Sequence, residues 1–445
     1  MLLSRSGSSL YVLTIFTYPH SYKNSVNMCS SRPLGTVRPP LFSTISFAVI
    51  FFVILFAGSV FSNLSIYSFA FRTKRYDPDF LSHKIHQRFQ STSSPLPLLS
   101  VKEEIEDADI KDQNPLIPPF NVTEEERIAW FRKKLPEFEI FQSTGLTRQF
   151  SGRAKKFFGS GCEVRFFMTW ISPARSFHRR ELFALETLFK AHPHGCLMIL
   201  SGTLDSRHGN HILKPLRDHG FRVLAVTPDL SFLLESTPAE AWLDEMKKGN
   251  KDPGEIPLAQ NLSNLLRLAA LYKYGGIYLD TDFVVLKKLS GLRNSIGAQS
   301  IDIETGNWTR LNNAVLVFEK NHPLLFKFIE EFSLTFDGNK WGHNGPYLVS
   351  RVVARVGRRP GYNFTVLPPM AFYPADWNRI SGFFHRPKNP ANSKWVKAKL
   401  LQLSGDTYGV HLWNKQSSRL RIEEGSIIGS LISDHCVLCE QIYSS

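Results

Sequence analysis

Lysine and arginine outnumber aspartate and glutamate by 14 in these 445 residues, yet they never gather into a block. A missing basic patch argues against a nucleic-acid partner. The dispersed excess fits an anionic substrate or a membrane surface at least as well. Acidic residues are absent from the first forty positions, which carry Arg5, Lys23, Arg32 and Arg38. Long apolar runs are absent except for one. No internal repeat is visible. Cysteine is scarce, with five in the chain. Cys436-Val-Leu-Cys439 could be half of a zinc site or a redox pair, but no second CxxC or matching histidine pair exists to complete a zinc site.

What is present fits a globular body behind an anchor. Apolar residues make up 43% and charged ones 21%, the balance of a folded protein. The length allows one or two domains beyond any tail. Leu41 to Phe61 holds no charge and is rich in Phe, Val, Ile and Leu. At ~1.5 Å per residue it reaches across the hydrocarbon layer of a bilayer. It is longer than a signal-peptide core and starts too far from the N-terminus to be one. The basic, acid-free N-flank predicts a cytoplasmic N-terminus and a lumenal body. Sequons at Asn63, Asn121, Asn261, Asn307 and Asn363 all follow the apolar run. Cys162, Cys196, Cys436 and Cys439 form an even set in the same part, so at least partial oxidation is expected there. Their pairing is not readable from spacing.

The chain divides into a cytoplasmic tail at 1–40, an anchor at 41–61 and a stem at 62–160. Ser/Pro-rich Gln90 to Ser100 and the acidic patch from Glu103 to Asp109 read as spacer, broken by a helical stretch near Glu124 to Leu135. From Cys162 onward strands and helices alternate. Strands are expected at 164–170, 196–201, 221–226 and 277–280, then at 314–318 and 409–413. Helices are expected at 181–191, 212–218, 257–273, 323–336 and 347–356. That order predicts an α/β body with a mostly parallel, Rossmann-type sheet and helices on both faces.

The richest segment is Tyr274-Gly275-Gly276-Ile277-Tyr278-Leu279-Asp280-Thr281-Asp282. Two glycines let a helix turn sharply into a strand. Asp280 and Asp282, at i and i+2, share a face if the strand persists to its tip. Like charges converging there call for a cation between them. Oxygen ligands suit Mn²⁺ or Mg²⁺, and such ions commonly bridge to phosphate oxygens. The carboxyl end of a strand is where open α/β sheets bind ligands. Two carboxylates rarely finish a metal site, so His411 is the expected third ligand.

Other residues suit the remainder of a substrate. Asn264 and Arg267 share a helix face, and Arg267 is expected to point at a diphosphate and offset leaving-group charge. Trp170, at a strand end, could stack on a nucleobase. Asn312, Asn313, Trp341, Asn344, Trp413 and Lys415 lie in polar corners that suit sugar hydroxyls, sugar faces and phosphate charge. A phosphatase of the haloacid-dehalogenase type also places Asp-X-Asp at a strand end, with the first Asp as nucleophile. There a Gly-Thr turn usually follows the second Asp, whereas Phe283-Val284-Val285 follows here. A donor-binding pseudoenzyme is a further alternative.

Taken together, Asn261 to Asp282, Phe167-Met168-Thr169-Trp170, Trp341 to Pro346, Phe372-Tyr373-Pro374 and His411 to Lys415 resemble the landmarks of the α-1,4-glycosyltransferases of the lactosylceramide 4-α-galactosyltransferase family, most of all its plant members. The resemblance runs from Cys162 to Cys439. It implies a GT-A fold, a nucleotide-sugar donor such as a UDP-sugar, Mn²⁺, and a glycan or glycolipid acceptor. It also implies retention of anomeric configuration and a type II Golgi membrane protein. The transferred sugar would be galactose or N-acetylglucosamine. It divides the body into a donor-binding half carrying the Asp-X-Asp motif at 161–310 and an acceptor and metal half at 311–445. Related transferases often carry Asp where this chain has Asn264, which keeps the hydrogen bonding and loses the charge.

Overall fold

The computed structural model describes residues 117–119, 121–357, 359–440 and 442–443. The tail, the anchor and most of the expected stem lie outside them. No helix among the described residues is long and apolar enough to cross a membrane.

The described residues hold nine strands: β1 Arg165–Thr169, β2 Cys196–Leu200, β3 Arg222–Val226, β4 Gly276–Leu279, β5 Phe283–Val285, β6 Ser295–Ile301, β7 Trp308–Phe318, β8 Thr365–Leu367 and β9 Gly409–His411. Seven form one sheet in the order β3-β2-β1-β4-β7-β6-β8, and β5 pairs with β9 in a second. In the large sheet β7 runs antiparallel to β4 and β6, and all other pairings are parallel. The mostly parallel expectation therefore holds. The sheet also draws on both expected halves, because β7 spans residue 310.

Alternation explains why both faces are covered. Successive strand residues point to opposite sides. Phe167, Met198, Tyr278 and Leu316 enter one core, and Phe166, Leu197, Ile277 and Val315 enter the other. Strands buried on both faces read as continuous apolar runs, as Cys-Leu-Met-Ile-Leu does in β2, where every residue is buried. The main helices are α1 Glu124–Lys134, α2 Gly145–Phe158, α3 Arg179–Ala191, α4 Leu258–Tyr274, α5 Pro323–Thr335, α6 Pro346–Val356, α7 Pro390–Ser404 and α8 Ile427–His435. Helices α2, α4, α5 and α6 supply the first core, and α3 supplies Leu185, Leu188 and Phe189 to the second. A third cluster, with Val284, Val410, Leu412, Ile428 and Ile432, surrounds the β5–β9 pair.

The expected stem ends too late. Residues 121–160 belong to the folded body, because Phe131, Phe138, Phe141, Phe150 and Phe158 are buried in the first core. Arg127 grips Asp252 at 2.7 Å and Arg153 grips Asp205 at 2.6 Å, tying both helices down. Polar composition between widely spaced phenylalanines concealed that packing. The sequence reading also passed over β5, β6, β8, α7 and α8. In β6, Ser295-Ile296-Gly297-Ala298-Gln299-Ser300-Ile301 lacks a clean period, and three-residue strands carry too few positions to show one.

The glycine pair behaves as expected. Gly275 has φ +65 and caps α4 through its N–H to Leu271 O. A Cβ on Gly276, at φ +131, would sit 2.4 Å from Arg165 O. The α4-to-β4 turn therefore excludes side chains at both positions. Strand β4 can then lie beside β1 with Phe167 opposite Tyr278. Disulfides join Cys162 to Cys196 and Cys436 to Cys439. The second stands beside buried Glu186, whose Oε2 accepts N–H bonds from Val437, Leu438 and Cys439.

Candidate active site

Asp280 and Asp282 do meet, but not by strand geometry. Strand β4 stops at Leu279, and a turn closed by Phe283 N–H to Asp280 O carries both aspartates. Asp282 then enters β5, whose register sets Phe283 opposite His411 of β9. That pairing delivers the histidine to the aspartates. One ligand atom from each of Asp280, Asp282 and His411 lies within 4.8 Å of the others.

Each carboxylate has one oxygen tied to the protein and one turned to the histidine. Asp280 Oδ1 accepts from the Tyr278 hydroxyl at 2.8 Å and from Arg267 Nη2 at 3.1 Å. Its Oδ2 is 3.8 Å from His411 Nε2. Asp282 Oδ2 accepts the Asn414 N–H at 2.8 Å, and its Oδ1 is 3.2 Å from His411 Nε2. Two free oxygens and one ring nitrogen thus face a common point. The Asp280 side chain is 26% exposed and the Asp282 side chain 10%, so the point opens on the Asp280 side.

The electrostatics of the cluster favour positive charge. Burial lowers the His411 pKa, but Asp282 and Asp280 outweigh burial and hold it at about 9. Burial raises the Asp282 pKa, and His411 with the Asn414 N–H more than reverses this, leaving it below the ordinary value. The two carboxylates thus make this point one that favours positive charge. His411 Nδ1, Asn414 Oδ1 and the Tyr373 hydroxyl are buried without hydrogen-bond partners around this cluster. Oxygen and imidazole donors of this kind fit Mn²⁺ or Mg²⁺.

The support for Asp280 is a closed hydrogen-bond ring. Arg267 donates through Nε to Ser263 O, through Nη2 to Ser263 Oγ and through Nη1 to Asn313 O. The Ser263 and Thr169 hydroxyls lie 2.5 Å apart, and Thr169 Oγ1 is 2.8 Å from the Tyr278 hydroxyl. The Arg267 guanidinium also stacks on the Tyr278 ring at 4.4 Å. Arg267 is therefore buried and committed, not extended toward a diphosphate as expected from the sequence. Its helix turns that face inward, so it reaches substrate only through Asp280. Tyr278, Thr169 and Ser263 were given no role by sequence reasoning. Tyr278 had a signal, since it sits two residues before Asp280 and so on the same strand face.

Two segments of this chain match family models. Residues 178–301 match the glycosyltransferase sugar-binding region containing the DXD motif, and residues 317–443 match the alpha 1,4-glycosyltransferase conserved region. Lactosylceramide 4-alpha-galactosyltransferase of Mus musculus is 33% identical over 269 residues, 57% of this chain and 68% of that one. The chain belongs to the alpha 1,4-glycosyltransferase family. Alpha-1,4-N-acetylglucosaminyltransferase of Homo sapiens is 26% identical over 220 residues, 47% of this chain and 58% of that one. An uncharacterized protein of Arabidopsis thaliana is 32% identical over 291 residues, 63% of this chain but only 43% of that longer one. Among solved structures, PaToxG glycosyltransferase aligns at TM-score 0.32 with 20% identity, over 52% of this chain and 79% of that one.

The other expected site residues of this glycosyltransferase fall into two groups. Asn312 and Asn344 turn inward. Asn312 bonds Gln299 and the Ala314 N–H. Asn344 bonds Asn261, Asp337 O and the Asp337 N–H. Asn344 holds the corner at 341–346 against α4, while Asn312 ties β7 to β6. Asn313 donates to Asn264 Oδ1 at 2.8 Å, and Gly345 packs so closely that a Cβ would lie 2.7 Å from that oxygen. Asn264 thus anchors the same corner. The second group is more open. Trp341 is 46% exposed and carries Lys415 Nζ 3.4 Å above its ring. Lys415 follows Asn414, whose N–H binds Asp282, so it links Trp341 to the segment that carries that bond. Trp413 lies half-buried against His411 at 4.5 Å, with its N–H on Ala375 O. Trp170 is half-buried, its N–H on Pro173 O and its ring against Phe177. Beyond Trp170, a cavity of about 660 Å³ opens at the carboxyl ends of β1, β2 and β3, lined by Ile171, Pro173, Ser201, Gly202 and Thr227 among others.

Proposed function

We propose that this chain transfers galactose or N-acetylglucosamine from a UDP-sugar to a glycan or glycolipid acceptor, with retention, forming an α-1,4-like linkage. The observation that carries this is the cluster of Asp280 Oδ2, Asp282 Oδ1 and His411 Nε2, each with its second donor or acceptor position engaged or shielded by protein. The names of the mouse and human relatives support a lipid-linked or glycan acceptor and leave both sugars open. These three side chains would hold Mn²⁺ or Mg²⁺. When bound, such an ion neutralises charge gathering on the departing nucleoside diphosphate.

The chain's own residues do the rest. Arg267 and Tyr278 fix Asp280 Oδ1 and so aim Oδ2 at the cluster. Asn414 does the same for Asp282 through its backbone. The nucleoside would lie in the cavity at the ends of β1 to β3, next to the strand that presents Asp280. Trp341 offers exposed aromatic surface for the acceptor sugar, and Lys415, held over its ring, would add positive charge toward the diphosphate. As the sugar becomes oxocarbenium-like, the acceptor hydroxyl attacks from the leaving-group side and its proton passes to the diphosphate. Against the phosphatase alternative stand the family models over residues 178–301 and 317–443 and the Phe283-Val284-Val285 that follows the second aspartate.

The same proposal places the body in the Golgi lumen behind the 41–61 anchor, supported by the charge-free length and the basic N-flank of that segment. Full-length chain incubated with Mn²⁺ and a panel of UDP-sugars should hydrolyse one of them slowly, and should transfer it to a galactose-terminated acceptor. Silence across the panel, or a trapped phosphoryl group on Asp280, would sink the transferase reading. Protease digestion of the body in intact microsomes would sink the lumenal one.

A further inference from the structure

Four sequons fall among the described residues, and the structure sorts them. Asn261 is 3% exposed on α4, and its Oδ1 accepts from Asn344. Its partner Ser263 sits in the hydrogen-bond ring that steadies Arg267. A glycan there would prevent the corner at 341–346 from closing. Asn121, Asn307 and Asn363 are exposed. Asn307 differs from the other two in its surroundings. It lies at the tip of the β6–β7 hairpin, where residues 301–307 are all exposed. The tip is closed by Asp302 N–H to Asn307 O at 2.8 Å and Gly306 N–H to Asp302 O at 2.9 Å. The hydroxyl residue of this sequon, Thr309, is exposed as well and pairs with Ser300 at 2.8 Å across the hairpin.

That tip carries apolar surface with nothing over it among the described residues. Ile303 is 95% exposed and Ile301 43%, and Ile301 stands directly across from half-buried Trp308. Adjacent exposed apolar side chains on a protruding turn call for a cover. A carbohydrate chain is bulky and solubilising, and one rooted at Asn307 starts beside Trp308 and opposite the isoleucines. We infer that Asn307 is an N-glycan acceptor whose sugar shields the Ile301, Ile303 and Trp308 tip, and that Asn261 stays bare. The inference rests on the lumenal reading proposed above, since the modification belongs to that compartment.

The test uses full-length chain made in a eukaryotic cell and purified in detergent. Glycopeptides are mapped by mass spectrometry, and Asn307→Gln is compared with the parent before and after enzymatic deglycosylation. Asn307 should be occupied, Asn261 unmodified, and Asn307→Gln should lose one glycan step in mobility. Binding of a hydrophobic dye should rise roughly twofold in Asn307→Gln, as expected for uncovering an apolar patch, and Asn307→Gln with Ile303→Ser should return it toward the parent. Donor hydrolysis should not change, because the tip touches none of the site residues. A bare Asn307 beside an occupied Asn121 or Asn363 would overturn this inference and leave the lumenal reading intact. All three bare would overturn both. An occupied Asn307 with unchanged dye binding in Asn307→Gln would overturn the shielding role.

Discussion

The two aspartates of the site are built in opposite ways. Asp280 is steadied from nearby in sequence, by Tyr278 two residues before it and Arg267 on the preceding helix. Asp282 is steadied from far away, by Asn414 and His411 on the other side of 130 residues of chain. A local support forms with the helix-turn-strand unit itself. A distant support exists only once β5 has paired with β9. The direct donors to the first half of the metal cluster therefore come from one supersecondary unit, buttressed by Thr169 and Asn313, and those to the second half come from the distant β9 segment.

The sharpest way to break this contrast is to remove the ligands. Asp282→Ala should lower kcat/KM by on the order of 10³-fold or more, the scale of losing a preorganised charge partner at the reacting centre. Asp280→Ala should match it. Both variants should keep the far-ultraviolet circular dichroism of the parent. His411→Ala should act in the same direction and be milder, since two oxygens remain.

Arg267→Leu comes next. It should reduce kcat by about 10²-fold, because Arg267 holds Asp280 while bound to Ser263 and Asn313. Arg267→Lys should recover only part, because lysine lacks the fork that reaches Asp280, Ser263 and Asn313 together. Turnover indifferent to Arg267→Leu would mean that Asp280 needs no local support.

Tyr278→Phe isolates that local support further. It removes one donor to Asp280 Oδ1 and should weaken metal affinity by about 10-fold, the low end for a group that orients a ligand. Asn414→Ala is its counterpart on the distant side. The donor to Asp282 is a backbone N–H, so this substitution leaves the bond in place and should change metal affinity by less than about 3-fold, well under the Tyr278 effect. Equal effects in the two variants would erase the contrast between side-chain and backbone support.

The smallest effect is on stability. The folded His411 pKa stands near 9, above its ordinary 6.5. Its contribution is complete below pH 6.5 and is lost as pH rises through about 9. The metal-free chain should show a falling Tm over that interval, and saturating Mn²⁺ should flatten the fall. A Tm that rises across the interval without metal would contradict the His411–aspartate pairing.

This division also governs what could be read from the sequence. The glycine pair, the strand before Asp280 and the arginine-bearing helix lie within one short stretch, and local chemistry revealed them. The strand alternation that fills two cores was legible for the same reason. His411 was reachable only because a ligand was wanted and a family resemblance supplied the segment. Its approach to Asp282 depends on three-residue strands that carry no readable period. Arg267 was placed on the correct face but given an open partner, because its bond to Asn313 O across the fold is a tertiary fact. The same holds for Asn312 and Asn344, whose amides look alike in sequence whether they face a sugar or a backbone. Residues 121–160 were assigned to the stem because phenylalanines far apart in sequence reveal a core only when the helices carrying them are docked.

The most direct test of the account is the stoichiometry of Mn²⁺ bound to full-length chain in the presence of UDP, followed by electron paramagnetic resonance or calorimetry. One ion per chain should bind, and binding should be lost in Asp282→Ala with His411→Ala while each variant stays folded. An unchanged single ion in that double variant would show that the metal sits elsewhere and that the two-strand cluster is not the heart of the site.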